Sequence, residues 1–276
     1  MNIESFAWTP TLLATLRDVA EAAGAAILAI YESGDRLAVQ HKADDSPLTE
    51  ADLAADRVIR TQLAARFPGA AVLSEEGAPE ADAIDAAGGH FLVDPLDGTK
   101  EFLARNGEFT VNIAWVRAGR VQAGVVHAPA LGESFWGAAG VGAYRAVGTG
   151  AASPIRVAPP PAPGAPLRVL ASRSHGGAAQ RAYLARLPQP FVCVSAGSSL
   201  KFCRVAAGAA DLYPRLTATM PWDTAAGQAV LEAAGGVVLT AEGAPLRVPA
   251  RVRQSANPPF FAASCAELAA RAAEVL

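Results

Sequence analysis

Lysine is nearly missing from this chain. Of its 23 basic residues only Lys42, Lys100 and Lys201 are lysines; the others are arginines. Arginine is a planar fork and lysine a compact point charge, so the two are not interchangeable. Codon bias plus chance is the plain reading; the alternative is that lysine survives where a site needs a compact ammonium. Cysteine is scarce as well. Cys193, Cys203 and Cys265 are odd in number and form no C-x-x-C pair, which excludes a disulfide framework and a cysteine zinc site. They read as reduced, buried thiols of a cytoplasmic protein. The histidines His41, His90, His127 and His175 are too scattered to form a metal cluster. No run of ~18 apolar residues is free of charge. The best candidate, 12–30, carries Arg17, Asp18 and Glu21, so it reads as an amphipathic helix and not a membrane span. The segment Met1-Asn2-Ile3-Glu4 has no basic region, and no secretory signal is expected. A basic excess is absent too. The net charge of −3 argues against a non-specific nucleic-acid binder.

What is present is ample material for a core: 276 residues, of which 51% are hydrophobic. That length suggests roughly two domains. Helical apolar spacing runs through Leu12, Leu16, Val19, Ala23, Ile27 and Ile30, with Gly34 as a stop. A short strand is expected at 37–40. A second helix is expected over 50–66, with Thr49 as N-cap and Asp52 three residues on. Apolar runs at 71–73, 91–93, 109–116, 121–126, 134–138 and 142–146 read as strands, with a turn at Gly119-Arg120. The stretch Ala158–Pro166 holds five prolines and excludes helix and central strand. It is the expected linker (158–166) between an N-terminal α+β domain (1–157) and a C-terminal α/β domain (167–276). In the second half strands at 167–171, 191–194, 211–214, 236–240 and 260–263 alternate with helices at 177–187, 198–208, 222–234 and 264–275.

The sharpest chemistry lies in Phe91-Leu92-Val93-Asp94-Pro95-Leu96-Asp97-Gly98-Thr99. A buried strand would end at Asp94, Pro95 would start a turn, and Asp97 would fold back beside Asp94. The Leu96 carbonyl would point the same way, and Gly98 would let backbone approach a ligand. The competing reading is an ordinary turn with two solvated carboxylates. Glu75-Glu76 follow a strand, and alone they read equally as a solvated loop. Asp52 and Asp223 stand in first helical turns, where capping is the plain alternative. If Asp52, Glu75, Asp94, Asp97 and Asp223 converge, about −5 of charge needs countercharge. Hard divalent cations with oxygen ligands answer that need, and Mg²⁺ in pairs serves phosphoester hydrolysis.

These residues resemble the inositol-monophosphatase superfamily of Mg²⁺-dependent, lithium-sensitive phosphatases. The similarity is closer to one branch, the bacterial 3′(2′),5′-bisphosphate nucleotidases of the CysQ type. It is carried by KADDSPLTEAD (42–52), LSEEG (73–77), VDPLDGTKEF (93–102), RNGEFTVNIA (105–114), SRSH (172–175), GSSLKFC (197–203), LYPR (212–215) and WDTAAG (222–227). The resemblance implies a layered α/β/α/β/α sandwich and an enzyme of sulfur metabolism. Its reaction would convert 3′-phosphoadenosine 5′-phosphate to AMP and phosphate. It implies two to three Mg²⁺ ions: Glu75, Asp94 and the Leu96 carbonyl at a first, Asp94, Asp97 and Asp223 at a second, Asp52 and Glu75 near a third. It gives Thr99, with Glu75 or Asp52, the task of orienting the attacking water. Gly98 and Thr99 N–H groups would hold the scissile phosphate. His175, Ser198, Lys201 and Arg215 would read the rest of the nucleotide, with Asp223 beside it. A cytoplasmic monomer or homodimer follows, with peripheral association at an inner membrane face left open. The run Leu216–Pro221 departs from the branch's Gly-Pro-Thr-type loop, and 78–90 has no assigned role. An inositol or sugar phosphate phosphatase of the same superfamily is the alternative. A non-catalytic regulator would be expected to have lost a metal carboxylate, and all five are present.

Overall fold

Helix α1 (Pro10–Glu32) begins where Thr9, in extended conformation, accepts the Leu12 N–H on its hydroxyl and Pro10 occupies the first helical position. In the computed structural model the described residues are 7–33, 40–41, 47–77, 88–162, 164–171 and 178–276. The expected strand at 37–40 lies mostly outside them; Gln40–His41 (β1) pairs with Pro47–Leu48 (β2). Helix α2 spans Glu50–Arg66, as its capping pattern predicts. Strands β3 (Ala71–Ser74), β4 (His90–Asp97), β5 (Thr110–Arg117), β6 (Arg120–Ala128), β7 (Glu133–Ala138), β8 (Gly142–Val147) and β9 (Ser153–Ile155) follow, with a short helix α3 (Thr99–Leu103) after β4. They form one sheet in chain order, β3–β4 parallel and the rest antiparallel. The β5–β6 turn sits one residue earlier than expected: Ala118 and Gly119 take the positive φ values, which a tight two-residue hairpin needs.

The stretch 156–162 has no regular element. Beyond it come β10 (Leu167–Ala171), α4 (Ala178–Leu184), β11 (Phe191–Ser195), α5 (Leu200–Ala206), β12 (Leu212–Arg215), α6 (Pro221–Ala233), β13 (Val237–Thr240), β14 (Phe260–Ala263) and α7 (Ala266–Ala273). The second sheet runs β11-β10-β12-β14-β13. Three apolar clusters show the layering. Leu13, Leu16 and Ile27 of α1 and Ile59 of α2 pack on Phe91, Val93, Ile113 and Val125, one face of the first sheet. The other face, with Leu92, Val126 and Phe135, meets Phe202 of α5 and Val230 of α6, which also meet Leu170 and Phe260 of the second sheet. Tyr183 of α4 and Leu268 of α7 cover the far side through Val169 and Phe261. The order is therefore α/β/α/β/α, the sandwich the sequence resemblance implies. Helix α6 is buried almost all round because it lies between two sheets. Of the three cysteines only Cys203 is buried; Cys193 is exposed on the edge strand β11 and Cys265 is intermediate, so burial holds for one thiol and not for three.

The close approach of α6 to the first sheet depends on Gly124. A Cβ there would stand 2.6 Å from the Ala226 carbonyl oxygen and 2.9 Å from its Cα. Backbone on a packed helix cannot yield as a side chain does. Gly124→Ala should therefore lower stability by about 1–3 kcal/mol through overpacking, measured by urea unfolding.

Candidate metal centre and active site

The first sheet and α6 meet at one seam, and the carboxylates gather there. Strand β4 does not stop at Asp94, as the sequence suggests, but runs on to Asp97 through Pro95. Residues three apart on a regular strand point to opposite faces. Here Asp94 pairs with Asn112 and Asp97 with Thr110, so β4 carries one extra residue between them. That bulge falls at a proline, which donates no ladder hydrogen bond, and it turns both aspartates to the same face. Asp94 Oδ1 accepts the Leu96 N–H at 3.1 Å.

Asp97 is held from both halves of the chain. Its Oδ2 accepts the Ser199 N–H at 2.7 Å, Asn112 Nδ2 at 3.3 Å and the Thr110 hydroxyl at 3.4 Å. Asn112 Nδ2 also donates to Ser199 Oγ at 2.9 Å, and Ser199 Oγ donates to the Asp223 carbonyl at 2.7 Å. A chain of hydrogen bonds thus joins β5, α5 and α6. Gly98, at φ +89°, belongs to the same seam: a Cβ there would collide with the Ser198 hydroxyl, which donates to the Asp97 and Glu108 carbonyls. The Thr99 hydroxyl faces the Leu96 carbonyl at 3.5 Å.

Both aspartates that open helices act as caps. Asp52 Oδ2 accepts both the N–H (2.8 Å) and the hydroxyl (2.6 Å) of Thr49, closing the α2 capping box. Asp223 Oδ2 accepts the Met220 N–H at 2.8 Å. Glu75, Asp94 and Asp223 nevertheless each offer an oxygen within 4.8 Å of the others'. Asp94 is buried, and burial first, then the charges of Glu75, Asp97, Asp223 and Asp52, push its carboxyl well above the usual range. Burial and the Asp97 charge push Asp223 up to about 8. Asp94 therefore feels the charge of all four other expected carboxylates, and Asp223 that of Asp97 and Glu75.

Of the remaining expected residues, His175 lies outside the described residues, as does Lys42. Lys201 is 5% exposed. Its ammonium donates to the Ser198 carbonyl at 2.8 Å and lies 5.5 Å from the Tyr213 ring centroid. Burial lowers it to about 8. Arg215 donates to the Thr217 and Ala218 carbonyls. Thr110, Asn112 and Ser199 were not singled out as site residues. The available signal was period-two placement of Thr110 and Asn112 on one face of an otherwise apolar strand.

The sequence pattern described as "Inositol monophosphatase family" matches residues 8–274. The chain belongs to that family. Within it, the chain is 45% identical to the 3′(2′),5′-bisphosphate nucleotidase CysQ of Escherichia coli K12 over 228 residues, 83% of this chain and 90% of that one. It is 37% identical to the CysQ of Buchnera aphidicola, covering 92% and 94% of the two chains. Among solved structures, CysQ from Bacteroides thetaiotaomicron, titled a bacterial member of the same family, superposes with a TM-score of 0.78 at 36% identity, covering 93% of this chain and 98% of that one. Among the described residues no helix is long and apolar enough to cross a membrane.

The metal-free site stores repulsion, and its sign is testable. Asp94 and Asp223 have pKa values raised above the unfolded value of 3.8, so the folded state takes up their protons first as pH falls. Stability of chelator-treated protein should rise as pH drops from about 8 toward 4, over the span attributable to these two groups. Asp94→Asn should raise metal-free stability at pH 7, read by denaturant titration.

Proposed function

We propose that the chain is a Mg²⁺-dependent 3′(2′),5′-bisphosphate nucleotidase that removes the 3′-phosphate of 3′-phosphoadenosine 5′-phosphate, leaving AMP. The observation that carries the reading is the convergence of Glu75, Asp94 and Asp223 oxygens within 4.8 Å. Identity to CysQ nucleotidases over most of the chain supports the substrate class. The donor set fits Mg²⁺: carboxylates and a carbonyl are hard oxygen ligands, and the raised carboxyl of Asp94 marks a place where positive charge is wanted. Glu75, Asp94 and the Leu96 carbonyl would hold one ion, Asp94, Asp97 and Asp223 a second, and Asp52 with Glu75 a third. When bound, Mg²⁺ supplies Lewis-acid polarisation of phosphate and a more acidic water.

The chain's own groups do the rest. The Thr99 hydroxyl, with Glu75 or Asp52 to receive the proton, orients a water in line with the 3′ P–O bond. The water oxygen bonds to phosphorus as the P–O bond to the ribose 3′ oxygen breaks, and the leaving oxygen takes a proton from a solvent water. Backbone N–H groups of Gly98 and Thr99 hold the phosphate being transferred. Ser198, Lys201, Arg215 and His175 read the second phosphate. Lys201 keeps two N–H donors beyond the one given to Ser198, and Arg215 can pair with an anion through its remaining fork.

A substrate panel at saturating Mg²⁺ tests the reading. Higher kcat/KM for 3′-phosphoadenosine 5′-phosphate than for inositol 1-phosphate is expected; the reverse order would establish the inositol phosphatase instead. Asp94→Asn should lower kcat by about 10³-fold, roughly 4 kcal/mol of barrier, in the same assay.

A further inference from the structure

The loop that presents Glu75 and the helix that presents Asp223 are both gripped by a segment that no sequence motif marks. Arg253 stands in a single 3₁₀ turn, Val252–Gln254. Its guanidinium donates to the Ser74 carbonyl, and to the Glu75 carbonyl at 3.0 Å. The same group lies over the ring of Trp222, 5.5 Å from its centroid, and Trp222 immediately precedes Asp223. Gly77 closes the loop beneath it: a Cβ there would stand 2.7 Å from Arg60 Nη2 and 3.1 Å from Arg253 Nη2. Four residues on, buried Asn257 holds the entry to α6. Its Nδ2 donates to Thr219 Oγ1 at 3.2 Å, the Met220 carbonyl at 3.1 Å and Thr224 Oγ1 at 3.0 Å, and its N–H to the Thr219 carbonyl at 2.7 Å.

We infer that Arg253 is a positioning residue that fixes Glu75 relative to Asp223 and thereby sets the affinity of the centre for Mg²⁺. The inference rests on the metal-dependent reading above. Chemistry favours arginine for the task. A planar fork can serve two carbonyls of one loop while its face lies on an indole, whereas an ammonium cannot do both. In this role Arg253 acts through the backbone of the loop that carries Glu75, by way of the Ser74 and Glu75 carbonyls. Residues that orient metal ligands in this way change metal affinity by about 10–100-fold when lost.

Calorimetric titration of Mg²⁺ into metal-free protein tests this without substrate. Wild type, Arg253→Lys and Arg253→Met are compared, with thermal melts of each. Both variants should bind Mg²⁺ ~10–100-fold more weakly. A folded variant with wild-type affinity would overturn the proposal. So would full recovery in Arg253→Lys, which would leave charge alone as the cause. A purely structural role would lower the melting temperature and leave Mg²⁺ affinity unmoved, and it too overturns the proposal. If Arg253→Met does not fold, Arg253→Lys decides alone. A wild-type protein that binds no Mg²⁺ would instead overturn the metal reading, and this inference with it.

Discussion

Asp94, buried where the charges of Glu75, Asp97, Asp223 and Asp52 all raise the cost of ionising it, is the constraint around which this structure is arranged. Left free, such groups would move apart or take up protons. They are kept together because each is tied to rigid backbone: Asp94 and Asp97 to a bulged central strand, Asp52 and Asp223 to the first turns of α2 and α6, Glu75 to the end of β3. The packing of α5 and α6 between two sheets supplies the opposing force. Burial of apolar surface, which has no direction, thus holds a directional and unfavourable array of charge in place.

Capping and metal ligation are usually weighed against each other when an aspartate opens a helix. Here they coincide. One oxygen of Asp223 answers the Met220 N–H and one of Asp52 answers Thr49, which fixes each side chain's rotamer. The hydrogen bonds that start the helices also hold the two carboxylates that the proposed metal centre would use.

Much of this was legible in the chain. The helix over 50–66, its Thr49–Asp52 cap and the strands at 167–171 and 260–263 follow directly from caps and apolar runs. Glu75, Asp94 and Asp223, which the structure brings together, were legible in the chain as acids at the ends of short apolar runs or at a helix start. The continuation of β4 through Pro95 was not, since proline usually argues against a strand and a bulge depends on the partner strand. The roles of Asn112 and Ser199 were not legible either, because they lie in a contact between residues 87 apart in the chain. Lys201 shows the limit from the other side. Its rarity drew attention, but its burial beneath Ser198 and against Tyr213 is a product of tertiary packing.

The extra residue in β4 makes the spacing of Asp94 and Asp97 a matter of parity. Side chains on a strand alternate, so the segment between the two aspartates cannot drift in length by small steps. Removing one residue there would send one carboxylate into the α1–α2 side of the sheet, among Phe91 and Val93, while leaving every residue type intact. Loops elsewhere in the chain can grow or shrink without such a penalty. Insertions and deletions, more than substitutions, are what this strand cannot absorb.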